Sequence, residues 1–190
     1  MGQTITLTVN GEPWSIDVEP NDVLLDVLRA RIGVKSPKVG CERGECGTCT
    51  VMMDGRTVRS CLVLAIEANG SEIVTVEGLS VNGPTPLQRA FIDRNAFQCG
   101  FCAPGIVLTA TELLEDNPSP TEDEVKEAIA GNLCRCTGYT PIIEAVMAVA
   151  GVEQDRPQDP AATQLGIADG ETHEPAADVP PRAEGGEDDV

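Results

Sequence analysis

The sequence predicts an α+β chain, with a small mixed sheet crossed by one helix (the β-grasp arrangement) followed by a bundle of four helices. Three observations carry this. Up to about Val76 apolar and polar residues alternate at the strand period, broken by Asn10-Gly11 and Asp54-Gly55, both two-residue hairpin signals. Beyond Gly78 to Pro84 the period becomes helical, with Thr or Pro at the helix starts and Gly near two of the ends. The cysteines gather where glycines interrupt these patterns.

Taken in order, Thr4 to Val9 forms a first strand with Ile5, Leu7 and Val9 on one face, and Trp14, Ile16 and Val18 resume the alternation after the Asn10-Gly11 turn. Asp22 is expected to cap a helix running to about Arg31, with Leu24, Leu25, Val27 and Leu28 as its apolar face. After the loop Cys41 to Cys49, a second hairpin joins Thr50-Met53 to Arg56-Val58. It leads through Cys61-Ala65 to a last strand at Ile73-Val76. Gly, Ser, Asn and Pro between Gly78 and Pro84 mark a boundary. Four helices follow, from Thr85-Pro86 to about Asn95, from Pro104 to about Glu115, from a Thr121/Glu124 capping box to Gly131, and from Thr140-Pro141 to Gly151. The expected division is a sheet domain at 1–78, a linker at 79–83, a helical domain at 84–152 and an acidic disordered tail at 153–190.

The eight cysteines fall into two sets of four. Cys41, Cys46, Cys49 and Cys61 are spaced C-x4-C-x2-C-x11-C, and the first three reproduce the run that holds a plant-type [2Fe-2S] cluster. Cys99 and Cys102 pair with Cys134 and Cys136, the latter in a loop bounded by Gly131 and Gly138. Gly40, Gly44 and Gly47 would let the backbone close around an inorganic group and turn N–H donors toward its sulfurs. The helices opening at Pro104 and Pro141 each start beside a cysteine pair, so their positive ends would offset the charge of a four-thiolate centre. Two other readings stay open. Four disulfides suit a short secreted chain with a signal peptide, and zinc suits four cysteines supplied as two close pairs.

Composition narrows the function. The net charge of −18 opposes nucleic-acid or anionic-membrane binding, which require a basic surface. No apolar run reaches the roughly 20 residues that span a bilayer, and no basic segment leads into an apolar one at the N-terminus, so a cytoplasmic chain without membrane insertion is expected. There is no G-x-G-x-x-G fingerprint or P-loop, and the one histidine, His173, lies in the tail. Catalysis by this chain alone is therefore not expected.

The segments Gly40 to Val51, Gln98 to Gly105 and Gly131 to Tyr139 resemble the signatures of one family. It is the small iron–sulfur subunit of the xanthine oxidase-type molybdenum hydroxylases, which include aldehyde, carbon monoxide and nicotinate dehydrogenases. The resemblance spans about residues 3 to 152. It implies a plant-type ferredoxin β-grasp domain followed by a helical [2Fe-2S]-binding domain, and partners in a large molybdopterin-binding subunit and a medium FAD-binding subunit. It further implies that Cys41, Cys46, Cys49 and Cys61 bind the cluster nearer the flavin, that Cys99, Cys102, Cys134 and Cys136 bind the one nearer the pterin, and that Gln98 and Cys136 approach the pterin itself. Arg43 and Ala103 depart from residues frequent in the family at non-ligand positions. The implied role is to relay electrons singly from molybdopterin to FAD or another acceptor. The alternatives are a free-standing two-cluster ferredoxin-like carrier and a zinc-bearing interaction module.

Overall fold

A computed structural model describes residues 2–81 and 83–151. The tail expected at 153–190 lies outside the described residues.

Strands β1 (Gln3–Val9) and β2 (Glu12–Val18) form an antiparallel hairpin in which Val9 faces Glu12 across the turn. Asn10 and Gly11 take φ of 52° and 84°, the paired left-handed conformation that a two-residue turn demands. β3 (Thr50–Met53) and β4 (Arg56–Arg59) repeat the device around Asp54 and Gly55. The short β5 (Glu72–Val74) inserts between the hairpins, parallel to β1 and antiparallel to β3, giving the order β2-β1-β5-β3-β4. This is the expected mixed sheet.

The crossing helix begins as α1 (Leu24–Asp26) and widens into a π-helical stretch, Val27–Ile32, that stops at Gly33 with φ 92°. Leu24, Val27 and Leu28 sit under Ile5, Leu7, Val9, Val51 and Ile73, all essentially excluded from water. Asp22 is not the cap. Its carboxylate accepts instead from the Glu19 N–H at 2.8 Å and from Arg31 at 2.6 Å. The Leu24 N–H goes to the Val63 carbonyl at 2.8 Å and Val23 bridges Leu64, so tertiary pairing holds Val23 extended. A further expectation, the end of the last strand at Val76, is corrected. Past Cys61 the chain turns into a 3₁₀ helix, Ala65–Ala68, and the last strand ends at Val74, since Val76 opens a one-turn helix α2 (Val76–Leu79).

The helical half contains α3 (Pro86–Asp93), α4 (Ala103–Asp116), α5 (Glu122–Ile129) and α6 (Thr140–Val149). Reciprocal capping boxes at Thr85/Gln88 and Thr121/Glu124 satisfy N–H groups left over at the starts of α3 and α5. Leu87, Phe91, Ile106, Val107, Val125, Ile129, Ile142 and Val146 fill a second core, which Val76 and Leu79 of α2 also join. Among the described residues both cores lie in one compact unit, because α4 packs on β3 and β4. The sites described next lie along that packing.

Candidate functional site

The first thiol set grows from the loop between the crossing helix and β3. The Cys46 N–H donates to Cys41 Sγ at 3.4 Å, and Cys49 Sγ lies 3.4 Å from Cys61 Sγ. Cys61 is carried there by the end of β4, where Ser60 Oγ donates to the Cys49 carbonyl at 2.6 Å. Cys49 and Cys61 are only 2% and 8% exposed, while Cys41 and Cys46 are half-buried. Backbone N–H groups of Arg43 and Cys46 pull the Cys41 thiol down to about 7, whereas burial and the Cys49 contact push Cys61 up to about 11. The loop backbone therefore favours the thiolate at Cys41, while burial opposes it at Cys61.

Glycines are required at two positions in this loop. A Cβ on Gly40 would stand 2.7 Å from Thr48 Oγ1 and 2.9 Å from Cys46 Sγ. Gly47 has φ +71°, and its Cβ would meet the Gly131 carbonyl oxygen at 2.3 Å.

The second set joins two loops. Cys99 and Cys102 precede α4, with Cys102 as its N-cap residue, and Cys134 and Cys136 lie between α5 and α6. Cys136 Sγ is 3.6 Å from Cys99 Sγ, and Cys102 and Cys134 share a thiol hydrogen bond. Tyr139 holds the second loop, its Oη accepting from the Cys134 N–H at 2.8 Å and donating to the Asn132 carbonyl at 3.3 Å. Burial pushes Cys102 up to about 12. The Phe101 N–H and Cys136 draw Cys99 down, and its hydrogen bond to Cys99 lifts Cys136. Burial opposes ionisation of Cys134, but hydrogen bonds from Thr137 and Cys136 outweigh it. Cys99 and Cys136 are exposed, as is Gln98 beside them.

The donors come as pairs: Cys41 with Cys46, Cys49 with Cys61, Cys99 with Cys136 and Cys102 with Cys134. Thiolates around one tetrahedral ion with bonds of about 2.3 Å stand about 3.8 Å apart on every edge. Among the described residues no group of three His, Cys, Asp or Glu side chains is placed to hold one ion. Four soft thiolates arranged two by two fit a binuclear iron–sulfur centre, with two thiolates for each iron.

The two sets meet across a short seam. The Leu133 N–H donates to the Cys46 carbonyl at 2.9 Å, so the residue before Cys134 touches the backbone of a cysteine in the first set. Asn132, 1% exposed, donates from Nδ2 to the Gly47 carbonyl at 3.0 Å and to Thr50 Oγ1 at 3.2 Å, and its Oδ1 accepts from Thr109 Oγ1 at 3.1 Å. Arg59 reaches the Gly131 carbonyl at 2.9 Å. Sequence reasoning singled out the cysteines and Gln98 but missed Asn132, Arg59, Thr50 and Thr109. The signal for Asn132 was an amide between Gly131 and Leu133 just ahead of a cysteine pair, while the other three carry no local signal.

Comparison with known proteins gives the class and then the family. Residues 7–75 match the 2Fe-2S iron-sulfur cluster binding domain and residues 75–147 the [2Fe-2S] binding domain, which defines a protein with two [2Fe-2S] clusters. The chain is 52% identical over 147 residues to the nicotine 6-hydroxylase small subunit of Paenarthrobacter nicotinovorans, covering 77% of this chain and 89% of that one. It is 51% identical over 144 residues to the nicotinate dehydrogenase small FeS subunit of Eubacterium barkeri, covering 75% and 92%. In a solved structure, quinoline 2-oxidoreductase from Pseudomonas putida 86, a chain with 48% identity superposes with a TM-score of 0.76, covering 80% of this chain and 96% of that one. The chain belongs to the family of small iron–sulfur subunits of the molybdenum hydroxylases, and is an electron-transfer rather than a catalytic component of an oxidoreductase.

Proposed function

We propose that this chain relays electrons singly from a molybdopterin centre in a large partner subunit, through its two clusters, to FAD in a medium subunit. The observation that carries this is the seam, where two thiol sets are joined by one backbone hydrogen bond from Leu133 to Cys46. Each [2Fe-2S] cluster, when bound, holds one electron, so two in series divide the pair released by a hydroxylation. Cys41, Cys46, Cys49 and Cys61 would hold the cluster nearer the flavin, and Cys99, Cys102, Cys134 and Cys136 the one nearer the pterin. Gln98, exposed with an amide that both donates and accepts, and Cys136 would approach the pterin edge.

Phe97 and Phe101, 40% and 42% exposed, flank Cys99, and exposed Leu133 lies one residue before Cys134. Apolar side chains around the open site favour a docked subunit over a free-standing carrier, whose surface would be polar there. No helix among the described residues is long and apolar enough to cross a membrane, and we place the complex in the cytoplasm. Co-purification of the native complex with metal analysis tests the reading. About four irons and four sulfides per copy of this chain, with molybdenum in the partner, are expected. Zinc equal to or above iron in anaerobically prepared protein would sink the cluster assignment, and a two-cluster chain isolated without molybdenum or partners would favour the free carrier.

A further inference from the structure

We propose that Arg59 is a positioning residue of the relay: its guanidinium ties the two cluster loops together, and its charge raises the reduction potential of both clusters. Arg59 ends β4, half-buried, two residues before Cys61. Its Nη1 donates to Thr50 Oγ1 at 2.8 Å, and Thr50 directly follows Cys49. Its Nη2 donates to the Gly131 carbonyl at 2.9 Å and to Asn132 Oδ1 at 3.5 Å, on the segment that runs into Cys134. One cation therefore touches residues adjoining ligands of both sets.

What separates Arg59 from the other arginines of the sheet half is that its partners adjoin both cysteine sets, whereas Arg29 donates to the nearby carbonyls of Lys35 and Pro37 and Arg43 to that of Cys41. Arg31 pairs with Asp22, and Arg56 pairs with Glu112 and Asp116, so carboxylates offset their charge. The recorded hydrogen-bond partners of Arg59 are a hydroxyl, a carbonyl and an amide oxygen, all neutral. Among the described residues Arg59 makes no ion pair with a carboxylate, and it stands beside two groups of four cysteines in a chain of net charge −18. Reduction adds one electron to an already negative centre, and a fixed cation in a part-buried seam favours the reduced form.

The inference rests on the eight cysteines being cluster ligands, and iron analysis of the wild type tests that separately. The experiment is an EPR-monitored redox titration of the assembled complex carrying wild-type, Arg59→Gln or Arg59→Lys chain. Arg59→Gln is expected to keep both cluster signals and to lower both midpoint potentials by at least about threefold in the one-electron equilibrium, or about 28 mV at 59 mV per tenfold. Arg59→Lys, which keeps the charge, is expected to retain most of the wild-type potential. Unmoved potentials in Arg59→Gln, or equal shifts in both variants, would overturn the charge role. Should Arg59→Gln lose its clusters, Arg59→Lys decides: clusters kept near wild-type potentials support the proposal, and clusters lost in both refute it. Wild-type protein holding zinc in place of iron would mean that the ligand reading had failed instead.

Discussion

The two thiol sets solve one chemical problem in different ways. In the sheet half three cysteines come from one contiguous loop, and two of the four thiols, Cys49 and Cys61, are sealed against Leu25 beneath the crossing helix. In the helical half the four come from two loops far apart in sequence. Cys102 is sunk in the core, but Cys99 and Cys136 are exposed. The first site is closed chiefly by its own backbone. The second is left open on a surface bearing Phe97 and Phe101, so its closure depends on whatever docks there.

Cluster-breaking substitutions should break this comparison most sharply. Cys46→Ser is expected to remove the first cluster alone, lowering iron from about four to about two per chain. In the assembled complex, substrate should then still reduce molybdenum and the remaining cluster while the flavin stays oxidised. Rapid-freeze EPR with flavin absorbance reads this, and flavin reduction at the wild-type rate would reverse the assigned order. Cys136→Ser should instead remove the second cluster and keep the EPR signal of the first.

Glycine substitutions rank next. Gly47 and Gly100 share a left-handed backbone, φ +71° and +75°, but a Cβ on Gly100 meets nothing within 4 Å. Gly100→Ala should cost only the conformational strain of about 1–2 kcal/mol. Gly47→Ala adds a clash with the Gly131 carbonyl at the seam, and a loss of about 3 kcal/mol or more is expected. Urea unfolding followed through Trp14, the one tryptophan, would compare them. Equal losses would mean that the seam yields freely.

Gln98→Ala should keep both clusters and the fold, since Gln98 is exposed. Removing one positioning hydrogen bond of about 1 kcal/mol should slow electron flow out of molybdenum about fivefold. Stopped-flow reduction of the complex measures this, and an unchanged rate would remove Gln98 from the pterin edge.

The smallest expected effect lies behind the first loop. Glu77 accepts from the Ser36 N–H at 3.0 Å, from the Ser36 hydroxyl and from Thr75 Oγ1 at 2.6 Å, anchoring the chain that leads to Cys41. Burial alone would raise its carboxyl, but the hydrogen bonds from Ser36 and Thr75 win and hold it below the ordinary value. A depressed folded-state pKa stabilises above the unfolded value, and that stability is lost as pH falls through the carboxylate range. Glu77→Gln should therefore flatten the acid limb of the melting temperature below about pH 5. A limb as steep as that of the wild type would assign the acid sensitivity elsewhere.

Local chemistry was legible without coordinates. Asn10-Gly11 and Asp54-Gly55 set both hairpins because few residue pairs tolerate two successive positive φ values. Thr85-Pro86 and the Thr121/Glu124 capping box announced their helices because a cap or a proline at the first turn acts within four residues. Cysteine spacing likewise divided the thiols into two sets. What failed were readings that neglected distant partners: Asp22 was expected to cap a helix, yet the pairing of Val23 with Leu64 and of Leu24 with Val63 moved the helix start. The seam lay beyond sequence reasoning for the same reason. Asn132 meets Gly47 and Thr50, and Arg59 meets Gly131, across more than seventy residues, and no local pattern encodes a contact made only when α4 packs on β3 and β4. The sequence determined which atoms could hold the clusters, because hairpins, caps and thiol spacings close over a few residues. Only the tertiary structure decided how the two sites are joined, because the buried hydrogen bonds of Asn132 and the reach of Arg59 across the seam depend on which surfaces meet.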